Sequence, residues 1–184
     1  MNHPERILRL LDSHLAHPVR LILYGRAALA LGFPNAAAEW AATLDVDAIL
    51  PTKEMPQIEA DEPFWEALDV TNKALEPSGL YLTHLFLDTQ VILSPNWLSE
   101  IVAVPLANLR HLTLFRPSNP DLILTKMMRI DPQDRADLLF LLSVTPMSVS
   151  QANVLFQHAQ VPDIPEIHEA FQENARWLLE QLPG

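Results

Sequence analysis

The apolar positions of the first fifty residues change their spacing from one segment to the next. Up to Pro18 they recur at helical spacing and predict a helix that ends near this proline. The run VRLILYG then predicts a strand ending at Gly25, and RAALALGF predicts a helix ending at Gly32. The stretch TLDVDAIL predicts a second strand, which Pro51 closes. The apolar face of the first helix consists of Ile7, Leu8, Leu11 and Leu15.

The following segment combines one long helical pattern with two strand-like runs. From Glu62 to Leu75 the large apolar residues keep helical spacing, and the sequence EPSG that follows is a turn signal. LYLTHLFLDTQVIL has strand character and predicts one long strand or a hairpin. LRHLTLF predicts a further short strand.

After Phe115 the pattern becomes helical. Three helix starts are predicted from a capping residue that is followed three positions later by an acid or an amide. These pairs are Ser118 and Asp121, Asp131 and Asp134, and Ser148 and Gln151. A last helix begins near Pro165. We therefore predict an α/β (α+β) protein, with a mixed sheet flanked by helices over residues 1–116 and a C-terminal helical region over 117–184 packed on that core.

Composition narrows the classes of function. The 184 residues carry a net charge of −11 with only 12 lysines and arginines, which disfavours direct binding to nucleic acid and suits a basic protein partner. The absence of cysteine excludes disulfides, thiolate zinc sites and cysteine nucleophiles. The apolar runs are too short to span a bilayer, and MNHPERILRL lacks a signal-peptide layout, so we expect a cytoplasmic protein without a membrane partner.

Two like charges stand inside the strand that ends at Pro51. Because side chains alternate faces along a strand, Asp45 and Asp47 project to one side while Leu44, Val46 and Ala48 project to the other. Neighbouring carboxylates repel, so a lysine, an arginine or a divalent metal is expected between them. The alternative is a strand end whose aspartates face water.

Gly25 lies upstream, where a strand passes into a helix. A glycine at this junction lets backbone N–H groups approach a ligand closely, and the start of the helix favours an anion such as phosphate. A phosphate cradle beside a carboxylate pair suits Mg²⁺, which binds few protein carboxylates together with phosphate oxygens. Two-metal phosphoryl-transfer sites use such parts.

The motifs YGRAALAL and TLDVD resemble those of the nucleotidyltransferase superfamily, in which a glycine motif at a helix start precedes D-x-D on the next strand. More narrowly, the chain looks like stand-alone nucleotidyltransferase-like proteins akin to toxins of abortive-infection toxin–antitoxin pairs. Those proteins carry a later lysine and a D-x-x-D pattern, which Lys126, Asp134 and Asp137 supply here. The resemblance covers roughly residues 19–142 and implies a nucleotidyltransferase-like mixed sheet.

The resemblance implies roles for three carboxylates. Asp45 and Asp47 would be the catalytic metal ligands, with Mg²⁺ as the cofactor. A third carboxylate usually lies on a later strand, and Asp88 in HLFLDTQ is the candidate for the general base that deprotonates an acceptor hydroxyl. A hairpin turn is the competing role for Asp88.

The resemblance also implies a binding site for a nucleoside triphosphate. Gly25 and the N–H groups after it would contact the phosphates, Arg26 would add positive charge, and Thr43 would lie at the nucleotide. Lys126 would bind the same phosphates or pair with Asp137. The partners so implied are a nucleoside triphosphate and an antitoxin or acceptor protein, with RNA as an acceptor disfavoured by the acidic charge.

Three departures from the family pattern leave a second interpretation open. Arg26 replaces a small residue, EWAAT supplies no basic residue before D-x-D, and Gln133 stands where a basic residue commonly precedes D-x-x-D. Each departure other than Arg26 removes positive charge from a site for a triphosphate. The alternative is a catalytically degenerate nucleotide- or protein-binding module on the same fold.

Overall fold

A computed structural model describes residues 1–183 of the chain. The chain forms two compact units. The first consists of residues 1–87 and 101–116, and the second consists of residues 88–100 and the chain from 117 onward. Within the described part, no helix is both long and apolar enough to cross a membrane.

The first unit is built on a mixed five-stranded sheet, which confirms the predicted α/β class. The strands lie in the order β3-β2-β1-β5-β4. The β1–β5 and β2–β3 pairs are parallel, whereas β1–β2 and β4–β5 are antiparallel. The strands are β1 (Val19–Tyr24), β2 (Asp45–Leu50), β3 (Tyr81–Leu87), β4 (Val102–Ala103) and β5 (Leu112–Arg116).

Helices of the first unit pack on this sheet and on one another. Asn2 caps the first helix by accepting a hydrogen bond from the Glu5 N–H at 2.8 Å, and Asp61 caps the long helix in the same way through the Phe64 N–H at 3.1 Å. The helices are α1 (His3–His14), α2 (Gly25–Gly32), α3 (Ala38–Ala41), α4 (Met55–Glu59) and α5 (Glu62–Leu75). Single 3₁₀ turns occupy Thr52–Glu54 and Glu76–Ser78.

A buried carboxylate joins α1 to the start of β5. Asp12 is 5% exposed and accepts hydrogen bonds from the backbone N–H groups of Arg110, His111 and Leu112, at distances of 2.7–3.1 Å. Burial acts to raise the pKa of Asp12, but the three N–H donors outweigh it and hold that pKa below its ordinary value. The ionised form is therefore the one that the fold stabilises.

The second unit contains four longer helices in its described part. Two 3₁₀ turns, Asp88–Gln90 and Trp97–Glu100, precede them. The predicted caps are confirmed: the Ser118, Asp131 and Ser148 side chains each accept a hydrogen bond from a first-turn N–H, and Ser148 with Gln151 completes a capping box. The helices are α6 (Asn119–Thr125), α7 (Pro132–Val144), α8 (Val149–His158) and α9 (Pro165–Gln181).

Two expectations from the sequence are wrong. The run after Gly79 is neither one long strand nor a hairpin, because β3 ends at Leu87 and a 3₁₀ turn follows; Leu93 forms only an isolated bridge with Gln160. Leu44 does not belong to the core face of β2, since it precedes the strand and is 51% exposed.

Candidate metal centre

The two aspartates of β2 project from the face of the strand that is not part of the core. Val46 and Ala48, which alternate with them, are fully buried, whereas Asp45 and Asp47 are partly exposed. The Thr43 hydroxyl donates a hydrogen bond to Asp45 Oδ1 at 2.8 Å. Thr43 thereby fixes one carboxylate oxygen and leaves the other available to a ligand.

Gly25 lies beside the second aspartate. The antiparallel register pairs Tyr24 with Asp47, and α2 begins at the next residue. Gly25 has a φ of +61°, a conformation that favours glycine, and a Cβ placed on it would lie 3.5 Å from Asp47 Oδ2. No side chain caps this end of α2. The start of the helix and the carboxylate pair are therefore neighbours in space.

Arg26 follows Gly25 in the first turn of α2 and is partly exposed. Its position places a cationic side chain one residue after the glycine, as the sequence indicates. Within one region of the first unit, the structure brings together Asp45, Asp47, Gly25 and Thr43.

His84 of β3 completes this group, although sequence reasoning assigned it no role. Its Nδ1 lies 3.3 Å from Asp47 Oδ1 and 3.0 Å from the Thr83 hydroxyl. The imidazole stacks on the ring of Phe86 with centroids 5.5 Å apart. The side chain is 62% exposed and lies beside the D-x-D pair.

One ligand atom from each of Asp45, Asp47 and His84 lies within 4.8 Å of the others. The set comprises two carboxylate oxygens and one imidazole nitrogen, which are common metal ligands in proteins. These three residues could hold a metal ion.

The electrostatics of Asp47 favour a cation. Burial raises its pKa above the ordinary value, and the neighbouring charge of Asp45 raises that pKa further, while His84 acts in the opposite direction. The ion pair that Asp47 forms is with His84, at 3.3 Å, and the imidazole carries charge only when it is protonated. A bound cation would offset the repulsion that the fold itself leaves in place.

Asp88, the candidate general base, begins the 3₁₀ turn that follows β3 and belongs to the second unit. The group of three metal-binding side chains does not contain it. The parallel register places Thr83 and His84 between the partners of Val46 and Ala48, so the side chain of β3 that lies beside Asp47 is a histidine. The role of Asp88 as a base stays a prediction.

Lys126 and Asp137 are paired in the second unit, which is one of the two roles that the sequence left open. The Lys126 Nζ donates to Asp137 Oδ2 at 2.6 Å and to Asp134 Oδ1 at 3.0 Å, and these side chains are at most 7% exposed. Arg129 Nε donates to the other oxygen of Asp134 at 2.5 Å. Burial acts to raise the pKa of Asp134, but Arg129 and Lys126 outweigh it and lower that pKa.

This buried ion cluster gives Lys126 a structural role. Asn174 of α9 donates to the carbonyl oxygens of Met127 and Arg129 at 3.3 and 2.9 Å, so the turn between α6 and α7 is held by a second set of bonds. A phosphate would have to displace two buried carboxylates before it could bind the ammonium group of Lys126.

The assignment of a function depends on this geometry, because comparison with known proteins adds none. No family model, no curated protein and no solved structure matches the chain.

Proposed function

We propose that this protein binds a nucleoside triphosphate together with Mg²⁺ and transfers a nucleotidyl group to a hydroxyl or phosphate acceptor. One observation carries the proposal: the uncapped start of α2 at Gly25 lies next to Asp47 of the D-x-D pair, with a Cβ-to-oxygen distance of 3.5 Å. An anion-binding helix start and a cation-binding carboxylate pair in one place suit a metal-bound phosphate chain.

Each side chain then has a physical task. Asp45 and Asp47 hold the cation, and Thr43 orients Asp45 through its hydroxyl at 2.8 Å. The N–H groups that follow Gly25 and the charge of Arg26 bind the triphosphate. Mg²⁺, when bound, supplies positive charge against the charge that develops on the transferred phosphate. The fit is incomplete in one respect, since Mg²⁺ prefers oxygen ligands and His84 offers nitrogen.

The net charge of the chain supports the choice of acceptor and of protein partner. The net charge of −11 disfavours RNA as the acceptor and suits a basic protein surface. In this proposal the protein is the toxin of a toxin–antitoxin pair, and the partner is its antitoxin or an acceptor protein.

A second candidate is a nucleotide-binding module without turnover. The observation in its favour is that the ammonium group of Lys126, a predicted phosphate ligand, is occupied by Asp134 and Asp137 at 3.0 and 2.6 Å. With Gln133 in place of a basic residue, the chain supplies less positive charge for a leaving pyrophosphate.

Thermal unfolding with Mg²⁺ and each of the four ribonucleoside triphosphates tests binding. We expect stabilisation by at least one triphosphate, of about 2.7 kcal/mol at a hundredfold excess over the dissociation constant. The stabilisation should disappear in Asp45→Asn/Asp47→Asn and persist in the matched control Asp69→Asn, because Asp69 is a 61% exposed aspartate that pairs with Lys73. Equal stabilisation in all three proteins, or none in the wild type, would overturn the proposal.

Incubation with α-³²P-labelled triphosphates separates the two candidates. Release of pyrophosphate with label transferred to an acceptor, lost in the Asp45→Asn/Asp47→Asn variant, identifies a transferase. Binding without label transfer to protein or nucleic acid, in every acceptor mixture tested, identifies the binding module.

A further inference from the structure

We infer that His84 is a third, nitrogen ligand of this site and that it makes the site bind first-row transition ions, Mn²⁺ among them, more tightly than Mg²⁺. The inference rests on the proposed function, because it concerns the ion held by the same two carboxylates. It goes beyond that function by assigning a role to a residue outside the D-x-D motif.

An irregularity in the sheet places the imidazole. Val46 pairs with Leu82, so an unbroken parallel register would pair Ala48 with His84. Ala48 instead pairs with Leu85, and the register shift leaves Thr83 and His84 together opposite Asp47. Bulges of this kind interrupt a ladder and redirect a side chain, and they are frequent beside functional sites. This one brings a ring nitrogen to within 3.3 Å of Asp47 Oδ1.

Neighbouring rings hold the imidazole in place. His84 stacks on Phe86 with an interplanar angle of 22°, and Phe86 in turn contacts Tyr24 edge-on with centroids 5.4 Å apart. Tyr24 immediately precedes Gly25, so the aromatic contacts run from the ligand histidine back to the start of α2. A ring that is already oriented loses less entropy when it coordinates an ion. Its 62% exposure leaves it open to an ion from solvent.

The chemistry of the donor set decides which ions the site prefers. Mg²⁺ requires near-octahedral oxygen ligands and retains several waters, so an imidazole contributes little to its binding. Imidazole suits Fe²⁺, Ni²⁺ and Zn²⁺, and Mn²⁺, the weakest binder of the first-row series, is the most stringent probe of the preference. Two aspartate oxygens and one histidine nitrogen within 4.8 Å therefore favour the second group of ions.

Titration of the apoprotein with Mn²⁺, with free Mn²⁺ measured by electron paramagnetic resonance and Mg²⁺ added as competitor, tests the preference. We expect one site that binds Mn²⁺ at least tenfold more tightly than Mg²⁺. His84→Ala should weaken Mn²⁺ binding by about tenfold or more and leave Mg²⁺ binding within about twofold. The matched control His158→Ala removes an exposed histidine from α8 and should change neither affinity.

Pulsed electron paramagnetic resonance gives a readout that loss of structure would not imitate. The wild-type Mn²⁺ complex should show coupling to an imidazole ¹⁴N, and His84→Ala, with an unchanged circular dichroism spectrum, should bind residual Mn²⁺ without it. Equal affinities for the two ions, or ¹⁴N coupling that persists in His84→Ala, would overturn the inference.

Nucleotide binding, measured separately on the same protein, distinguishes the two proposals. Triphosphate binding without a preference for Mn²⁺ overturns the role of His84 alone. Selective Mn²⁺ binding without triphosphate binding supports the role of His84 and overturns the proposed function. Absence of any ion binding in the wild type overturns both.

Discussion

Lys126→Met tests whether the buried ion cluster of the second unit is structural. The substitution keeps an unbranched apolar side chain, one atom shorter, and removes the ammonium group, which donates to Asp137 at 2.6 Å. Asp137 is 0% exposed, so its charge loses a close cationic partner without gaining water. Removing one partner of a buried ion pair costs about 3–5 kcal/mol of unfolding free energy.

Lys73→Met provides a matched control for this variant. The Lys73–Asp69 pair has nearly the same separation, 2.5 Å, but its side chains are 73% and 61% exposed. An exposed pair contributes about 0.2–1 kcal/mol, because water screens both charges. The two lysines therefore differ in burial rather than in distance, and burial should account for a difference of about 2–4 kcal/mol between the variants.

Urea denaturation followed by far-ultraviolet circular dichroism measures the free energy of unfolding. Hydrogen exchange of peptides covering residues 119–144 assigns the loss to the unit that carries the pair, because the chain forms two compact units. Lys126→Met/Asp137→Asn removes the charge left behind and should recover about 1 kcal/mol or more of the loss. A cost for Lys126→Met no larger than that for Lys73→Met would refute the reasoning.

Four further substitutions test other parts of the first unit. Asp12→Asn should cost about 1–3 kcal/mol at pH 7, because an amide cannot accept from all three N–H donors at the start of β5. Since folding lowers the pKa of Asp12 from 3.8, its stabilisation is lost as the pH falls below that value. The free energy of unfolding, measured with urea from pH 6 to pH 2, should therefore depend less on pH in the variant than in the wild type. Gly25→Ala and Gly79→Ala should each cost about 1–2 kcal/mol, because both glycines have positive φ, but only Gly25→Ala should weaken triphosphate-dependent stabilisation. Gly32→Ala places a Cβ 2.5 Å from Cδ of Arg116 and should cost about 1–3 kcal/mol; an unchanged melting temperature would show that this side chain can move aside.

Local sequence signals predicted the elements whose ends are set by local chemistry. The long helix from Glu62 to Leu75 has the predicted bounds, because an apolar stripe and an Asp61 cap define it without help from the rest of the chain. The helix start at Ser148 is predicted for the same reason. The run after Leu87 was misjudged, because apolar residues in an irregular segment and in a strand look alike when periodicity alone is considered.

The candidate site also contains residues that the sequence predicted and one residue that it did not. Asp45, Asp47 and Gly25 were predictable because they lie within about twenty residues of one another in sequence, and the antiparallel pairing of β1 with β2 brings them together. His84 was not, because its position depends on the parallel pairing of β2 with β3 and on a register shift between Val46 and Ala48. Neither the strand order nor a bulge leaves a clear signal in one sequence.

Two close pairs of aspartates in the described residues differ in the charges that surround them. Asp134 and Asp137 have Lys126 between them, so the protein supplies the cation and the repulsion is satisfied within the fold. Asp45 accepts a hydrogen bond from the Thr43 hydroxyl and Asp47 lies beside the imidazole of His84, yet the pKa of Asp47 stays raised by burial and by Asp45. A sequence under selection for stability alone would neutralise that second pair, as it does the first. Departures from local stability rules concentrate at functional sites, and this departure coincides with a glycine of positive φ and with a bulge, which supports a cation site at this place.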